Sequence, residues 1–152
     1  MIEFEKEFTR TRGQPFEING RVYRMIYVLS DASPTEFVLK FEHAVRNPQQ
    51  GLRLDCDAPL EINGYRDKAF VLWHGTVPER IIVRRTGPEK VTIRNVWDHG
   101  DGVVHSWHAG GAIIAESVTG NDILLYCNST LDNSDCRDLI IRLTPGMNPS
   151  RH

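Results

Sequence analysis

Apolar and polar residues alternate over short stretches along most of the chain. At the N-terminus, Ile2, Phe4 and Phe8 are apolar and glutamates stand between them. Because successive side chains of a strand point to opposite faces, this alternation predicts a half-buried strand with an acidic outer face. Further segments rich in Val, Ile, Phe and Tyr are also predicted to be strands: Arg21–Leu29, Glu36–His43, Gly51–Asp55, Lys68–His74, Arg80–Arg85, Lys90–Val96, Val103–Trp107, Ala112–Val118, Asp122–Cys127 and Leu139–Thr144.

Turn-forming residues separate these segments at short intervals. Asn19-Gly20 and Asn63-Gly64 are dipeptides favoured in two-residue hairpins, and glycines also interrupt the chain at Thr86-Gly87-Pro88, Asp101-Gly102 and Gly110-Gly111. Many short strands separated by turns are typical of a sandwich or barrel. We therefore predict an all-β protein: an antiparallel β-sandwich, jelly-roll or lectin-like, of about eight to ten strands. We expect residues 1–152 to form a single domain.

One predicted strand has a competing helical interpretation. The sequence Pro-Thr-Glu at the start of Pro34–Val45 resembles the beginning of a helix. The β-branched and aromatic residues of Glu36–Phe41 favour a strand instead. We predict a strand here.

Composition and charge exclude several classes of protein. A formal net charge of -2 gives no general attraction to nucleic acid, so we expect no nucleic-acid partner. The apolar runs are far shorter than a membrane-spanning helix requires, and the acidic N-terminus is unlike a secretory signal. We expect a cytoplasmic protein without membrane insertion. Cys56, Cys127 and Cys136 are expected to be reduced, with a Cys127–Cys136 bridge as the alternative if their strands are adjacent.

Arginine dominates the basic residues, accounting for 14 of 18. Arg80, Arg84, Arg85 and Arg94 fall close together in the middle of the chain, and arginine favours bidentate contacts with carboxylate or phosphate. An anion site is one interpretation of this group. A solvated strand face is the other, and we favour it.

The most polar and aromatic stretch is Trp97–His108, which holds three of the six histidines and two tryptophans. Tryptophan beside Asp, Asn and His offers a stacking face and directed hydrogen bonds for a sugar or another polar ring. In the alternative interpretation, both tryptophans pack in or beside the core while the histidines face solvent. The predicted ligand-binding residues are Trp97, Asp98, His99, Asp101, Trp107 and Asn128.

The same stretch also suggests a transition-metal site. His99, His105 and His108, with Glu116, are candidate ligands for zinc or iron. The order of His105, His108 and Glu116 resembles that of cupin enzymes, small β-barrels with histidine and glutamate metal ligands. The resemblance implies a small metal-dependent enzyme. In a regular strand His105 and His108 would point to opposite faces, so a shared metal would require a bulge.

A second polar stretch, Asn128–Asp138, lies between the last two predicted strands. It contains oxygen ligands of the kind that calcium prefers. With the strand and Pro145-Gly146 that follow, it resembles the C-terminal loop of small calcium-dependent fucose- and mannose-binding bacterial lectins. The resemblance implies calcium ions that hold sugar hydroxyls, with Asp135 and Asp138 as ligands. The candidate calcium ligands are Asp132, Asn133, Asp135 and Asp138.

Two features of this stretch bear on the calcium hypothesis. Arg137 stands where the lectins have an asparagine ligand, and a guanidinium cannot coordinate a cation. The alternative is an Asx-rich turn, in which Asp and Asn side chains accept hydrogen bonds from nearby backbone amides.

Three functional hypotheses remain. The first is a non-catalytic binding module whose two polar loops hold a carbohydrate, another polar ligand or a partner protein, with calcium as the candidate cofactor. The second is a cupin-like metal-dependent enzyme that uses the histidines. The third is an assembly protein, forming a homo-oligomer through an exposed edge strand, for which the acidic first strand or Arg80–Arg94 would be the surface.

Overall fold

The computed structural model describes residues 1–30 and 35–146 as an antiparallel all-β fold with one short helix, which confirms the predicted class. The helix α1 is Phe4–Arg10. Eleven strands follow within the described residues: β1 (Phe16–Ile18), β2 (Arg21–Tyr23), β3 (Tyr27–Leu29), β4 (Glu36–Ala44), β5 (Gln49–Ile62), β6 (Tyr65–Trp73), β7 (Arg80–Arg85), β8 (Val91–Asp98), β9 (Ala112–Ser117), β10 (Ile123–Asn128) and β11 (Leu139–Pro145).

Nine of the strands form one sheet that nearly closes on itself. Its order is β3-β8-β5-β7-β4-β11-β10-β9, and β6 pairs with β5 outside this path. The long strand β5 changes partners along its length: residues 49–56 pair with β8, whereas Leu60 and Glu61 pair with β7. At the other end of the order, Arg24 and Ile113 exchange two backbone hydrogen bonds of 2.8 Å, which brings the segment before β3 against β9. The sheet therefore encloses a core as a sandwich or barrel does.

The two predicted Asn-Gly hairpins are present. Asn19 and Gly20 have φ values of 53° and 81°, and Asn63 and Gly64 have values of 51° and 85°. Two successive positive φ values define the type I′ turn, which Asn-Gly favours because both residues tolerate this conformation. The first turn joins β1 to β2 in a separate two-stranded sheet, and the second joins β5 to β6.

The main core lies inside the nine-stranded sheet. It contains residues that alternate with exposed positions, such as buried Ile81 and Val83 around exposed Ile82 in β7. A second, smaller core joins α1 and the β1–β2 hairpin to β9 and β10. Since Ile114 contacts this second core while Ile113 lies in the main core, α1 and the hairpin cover the opposite face of the sheet.

The predicted N-terminal strand is wrong, because this segment is the helix α1. Phe4 and Phe8 are four residues apart and therefore lie on one face of a helix. Both are almost fully buried, with Phe4 5.1 Å from Tyr23 and Phe8 4.8 Å from Phe16, measured between ring centroids. A helix places both phenylalanines against the β1–β2 hairpin. The alternation of apolar and polar residues, which predicted a strand, is therefore misleading here.

The predicted strand Val103–Trp107 is also absent. Only His105 makes a strand-like contact, exchanging backbone hydrogen bonds of 3.0 and 2.8 Å with Trp97. Val103 and Val104 are about half exposed, so no apolar face stabilises a strand here. This correction leaves residues 99–111 as a loop.

Other predicted strands are present with altered bounds. Arg21–Leu29 is divided into β2 and β3, and Gly51–Asp55 lies within the longer β5. The segment Pro34–Val45 is a strand from Glu36 onward, as predicted, and Pro34 lies outside the described residues.

The two segments suggested for edge-strand pairing differ. The acidic N-terminal segment is helical. The Arg80–Arg94 segment contains β7, which pairs with β4 from Arg80 to Arg84 but with β5 only at Arg84 and Arg85. Cys56, Cys127 and Cys136 are unbridged. Within residues 1–30 and 35–146, no helix is long and apolar enough to cross a membrane.

Candidate functional site

Two polar loops meet at one end of the sheet. We call residues 99–111, between β8 and β9, the Trp–His loop, and residues 129–138, between β10 and β11, the Asx loop. The Asn128 amide donates a hydrogen bond of 2.8 Å to the Gly110 carbonyl. A Cβ atom at Gly110 would collide with the backbone carbonyl of Thr130, so only glycine permits this close approach. The two loops therefore form one continuous surface.

Asn128 holds both loops in place. Its side chain is fully buried and its amide nitrogen also lies within hydrogen-bond distance of the carbonyls of Thr130 (3.0 Å) and Asn133 (2.9 Å). Its side-chain oxygen accepts a bond of 3.0 Å from the Cys136 amide. Asn128, predicted to bind ligand, instead satisfies backbone groups inside the protein.

A buried polar network continues from Asn128 into the sheet. Asp138 accepts hydrogen bonds from the backbone amide (2.9 Å) and hydroxyl (2.7 Å) of Ser129. That hydroxyl accepts a bond of 3.2 Å from Gln50 in β5. Asn95 in β8 donates to the Asn128 carbonyl at 2.8 Å. These hydrogen bonds join the base of the Asx loop to three strands, β5, β8 and β10.

The helix α1 supports the loops from outside. The Glu5 carboxylate accepts a hydrogen bond of 3.0 Å from the Ala109 amide in the Trp–His loop. The Ile2 amide donates to the Ser134 hydroxyl in the Asx loop at 3.3 Å. Both polar loops are therefore tied to the N-terminal segment, the Trp–His loop through Glu5 of α1 and the Asx loop through Ile2 just before the helix.

The imidazoles of the Trp–His loop converge. Nδ1 of His105 and Nε2 of His108 lie 3.1 Å apart, a hydrogen-bond distance whose donor depends on the tautomers. The rings of His99 and His105 have centroids 5.2 Å apart. His105 also lies nearly parallel to the buried indole of Trp97, at 6.2 Å and 17°. The irregular backbone of the loop brings together side chains that a regular strand would point to opposite faces.

The two tryptophans have different environments. Trp97 is 1% exposed and forms the buried base beneath the histidines. Trp107 is 37% exposed and lies edge-on to His108, with centroids 6.4 Å apart. Part of Trp107 is therefore accessible to a ligand, whereas Trp97 supports the cluster from below.

The carboxylates of the Trp–His loop shape its turn. Oδ1 of Asp98 accepts hydrogen bonds from the amides of Gly100 (2.7 Å) and Gly102 (3.2 Å). These bonds, above all the one from Gly100, lower the pKa of Asp98. Asp101 likewise accepts a bond of 3.0 Å from Val103. Asp98 and Asp101, both predicted to bind ligand, therefore accept hydrogen bonds from backbone amides of their own loop.

Glu116 is separate from the histidines. It lies near the far end of β9, four residues beyond Ala112, a span of roughly 13 Å along a strand. Its carboxylate accepts a hydrogen bond of 3.4 Å from the Tyr126 hydroxyl. Among the described residues, no group of three or more His, Cys, Asp or Glu side chains is arranged to hold a metal ion.

The candidate calcium ligands of the Asx loop point in different directions. Asn133 accepts a hydrogen bond from the Asp135 amide (3.3 Å), and Asp135 accepts one from the Arg137 amide (3.1 Å). Asp138 faces the buried network, while Asp132 is exposed. These contacts are those of the Asx-rich turn.

The buried base of the Asx loop contains two thiols. Burial raises the pKa of Cys127 well above its ordinary value. Burial, with smaller contributions from Asp135 and Asp138, raises the pKa of Cys136 to about 12. Both cysteines are therefore neutral thiols at neutral pH and behave as small apolar side chains.

The central arginines do not form one anion site. Arg84 contacts the carboxylates of Glu36 and Glu61, at 3.3 and 3.4 Å. Arg85 is buried and donates to backbone carbonyls, including that of Glu89 at 2.6 Å. These contacts stabilise the sheet and its turns.

The structure also contains a site that the sequence analysis missed. A cavity of about 410 Å³ lies against β9 and β10 and is lined by Arg21, Arg24 and Arg137 together with Tyr126 and Glu116. Arg24 and Arg137 are separated by more than 100 residues. These two arginines lie close together because of the order of the strands in the sheet. Local sequence patterns do not predict that order.

Comparisons of the chain with protein-family models, with curated protein sequences and with solved structures gave no match, so its functional assignment depends on the site itself.

Proposed function

We propose that this protein is a non-catalytic binding module that holds a carbohydrate on the surface of the Trp–His loop. The observation that carries the proposal is the exposed indole of Trp107 beside the half-buried imidazole of His108. An aromatic face packs on the apolar face of a sugar ring, and imidazole nitrogens form directed hydrogen bonds with its hydroxyls.

Rigidity of the loop supports this proposal. The close approach of Gly110 to Thr130 and the bond from Ala109 to Glu5 hold the backbone that carries Trp107. A ligand that binds a preorganised loop loses less free energy to ordering of the protein. His105, packed on Trp97, is similarly fixed before any ligand arrives.

Glycan-array binding of labelled wild-type protein and the Trp107→Ala variant tests the proposal. We expect wild-type protein to bind a defined set of glycans and Trp107→Ala to lose that binding. Tyr65→Ala is the matched control, because Tyr65 is an exposed aromatic residue (72%) on the β5–β6 hairpin. Unchanged glycan binding by Trp107→Ala, or an equal loss in Tyr65→Ala, would contradict the proposal.

A transition-metal site is the second candidate, supported by the distance between His105 and His108. Two imidazole nitrogens bound to one tetrahedral zinc ion at about 2.0–2.1 Å lie about 3.3 Å apart. The observed 3.1 Å between Nδ1 and Nε2 is close to this value. Since no three ligand side chains among the described residues are arranged to hold a metal, the His99 ring, 5.2 Å from that of His105, would have to turn to supply a third nitrogen.

Thermal unfolding of chelator-treated protein with and without zinc tests this second candidate. Zinc at 100 times its dissociation constant would add about 2.7 kcal/mol to the free energy of unfolding. The His105→Ala/His108→Ala variant would lose this stabilisation, whereas His43→Ala, in β4, would keep it. An unchanged melting temperature with zinc would exclude the metal site.

A further inference from the structure

We propose that the arginine-lined cavity against β9 and β10 binds a small phosphate monoester. The cavity has a volume of about 410 Å³, within the range of pockets that hold small organic ligands. Neither Trp107 nor any histidine of the Trp–His loop lines it. It is therefore a second site, independent of the proposed carbohydrate surface.

Three guanidinium groups line the cavity without carboxylate partners. Arg21, Arg24 and Arg137 make no ion pair or side-chain hydrogen bond in the part of the chain that the structure describes. By contrast, Arg53 and Arg142 each contact an acid within 3.0 Å. Three arginines and the two carboxylates of Glu116 and Asp135 give the lining a net charge of +1, so a bound anion would offset the remaining repulsion among the guanidinium groups.

Separate parts of the fold position these arginines. Arg21 follows the Asn19-Gly20 turn at the start of β2, and Arg24 is fixed by its backbone pairing with Ile113. Arg137 belongs to the Asx loop, where its guanidinium lies 5.8 Å from the centroid of the Tyr126 ring. This cation–π distance places the exposed Arg137 guanidinium beside the ring, with its N–H groups available to a ligand.

The number of donors favours a tetrahedral dianion. Each guanidinium presents planar N–H donors that match pairs of oxygens on carboxylate or phosphate. A phosphate monoester has three terminal oxygens and a charge near -2 at neutral pH, so it can engage all three arginines. A carboxylate has only two oxygens and one charge.

The acidic residues of the cavity favour an ester over inorganic phosphate. Glu116 and Asp135 also line the cavity, and their carboxylates would repel phosphate oxygens. Carboxylates accept hydrogen bonds from hydroxyl groups, as Glu116 already does from Tyr126. The ligand is therefore expected to combine a phosphate end with a hydroxylated organic part, as sugar phosphates and nucleoside monophosphates do.

Isothermal titration calorimetry with glucose 6-phosphate, AMP, inorganic phosphate and glucose tests this proposal. We expect at least one ester to bind more tightly than inorganic phosphate, and glucose to show no binding. Arg24→Gln and Arg137→Gln should each raise the Kd of that ester about tenfold or more, since each removes hydrogen bonds to a charged group. Arg66→Gln, which removes the same charge from β6, should leave the Kd within about twofold.

The controls separate loss of the site from loss of the fold. All three variants should retain the wild-type melting temperature to within a few degrees, because the altered side chains lie on the surface or line the cavity. Absence of binding by both esters at millimolar concentration would overturn the proposal. Equal affinity for inorganic phosphate and the esters, or an equal loss in Arg66→Gln, would also overturn it.

Discussion

The Asx loop and the Trp–His loop lie side by side, yet the polar side chains at the base of the first turn inward, whereas those at the tip of the second turn outward. At the base of the Asx loop, Asn128 at the end of β10 and Asp138 turn inward and bind backbone amides and carbonyls. The middle of the loop is exposed, at Asp132, Asp135 and Arg137. In the Trp–His loop, Trp107 and His99 turn toward solvent. A polar composition therefore does not distinguish a loop that satisfies itself from a loop that can bind a ligand.

Burial of the backbone accounts for this difference. The Asx loop starts and ends in the sheet interior, where the amides of Ser129 and Cys136 have side-chain acceptors. A buried amide without a partner is unfavourable, so nearby Asn and Asp oxygens are drawn inward. The Trp–His loop is exposed from His99 to Val104, and water can satisfy its backbone.

The largest effect is expected from Asn128→Ala, which removes the side-chain hydrogen bond to Gly110 and those within the Asx loop. It leaves several buried backbone groups without partners, and we expect the free energy of unfolding to fall by about 3 kcal/mol or more. Urea denaturation monitored by tryptophan fluorescence measures this change. Asn133→Ala, which removes one exposed contact with Asp135, should cost less than about 1 kcal/mol. Equal losses in the two variants would contradict the comparison of inward and outward side chains.

A smaller effect is expected from Gly110→Ala. The new methyl group would meet the Thr130 backbone and force the loops apart, at a cost of about 2 kcal/mol. In Gly102→Ala the methyl group meets no atom within 4 Å, and only the positive φ of 82° opposes the change, at a cost of about 1 kcal/mol. Melting temperatures of the two variants distinguish collision with a neighbouring loop from backbone strain, and Gly110→Ala should have the lower value. A larger loss in Gly102→Ala would contradict the close packing of the loops.

Alkaline pH should destabilise the buried base of the Asx loop. The raised folded-state pKa values of Cys127 and Cys136 mean that both thiols stay protonated in the native protein. In the unfolded chain they ionise near pH 9, so stability is retained below that pH and is lost as pH rises from about 9 toward 12. The expected loss is about 1 kcal/mol per pH unit for each thiol.

Urea denaturation at pH 8 and pH 10 measures this dependence. Cys136→Ala should reduce the difference in stability between the two pH values. Equal pH dependence in wild-type protein and Cys136→Ala would show that this thiol is not buried as described.

The smallest effect is expected at Asp98, whose carboxylate holds the turn of the Trp–His loop. Its pKa should lie below the ordinary 3.8, because the Gly100 and Gly102 amides bind the charged form. The small stabilisation is present above the pKa of the unfolded chain and is lost as pH falls through the folded-state pKa. An NMR titration of the side-chain carboxyl measures the value. A pKa above 3.8 would contradict these hydrogen bonds.

Local sequence patterns predicted much of the fold. The Asn-Gly turns and the strands β4, β7 and β9–β11 depend on neighbouring residues, so a pass along the chain can identify them. The helix α1 was missed because Phe4 and Phe8 fit both an alternating and a helical spacing. Their packing against Phe16 and Tyr23, which determines the outcome, is a tertiary contact.

The candidate sites were predictable only where their residues are close in sequence. The histidines of the Trp–His loop were identified as a group because His99, His105 and His108 lie within ten positions. The inward orientation of the Asn128 side chain could not be predicted in this way, because its partner Gly110 belongs to a different loop. Likewise, the arginine cavity depends on the order of the sheet and the position of the β1–β2 hairpin.

An NMR titration of ¹⁵N-labelled protein with fucose and mannose, with and without calcium, tests the contrast between the two loops most directly. We predict calcium-independent chemical-shift changes in at least one titration that centre on the Trp107 indole and the amides around His108. The amides of residues 132–138 should remain unchanged. Calcium-dependent shifts centred on the Asx loop, or no sugar-induced shifts in the Trp–His loop, would contradict the assignment of ligand binding to the outward-facing loop.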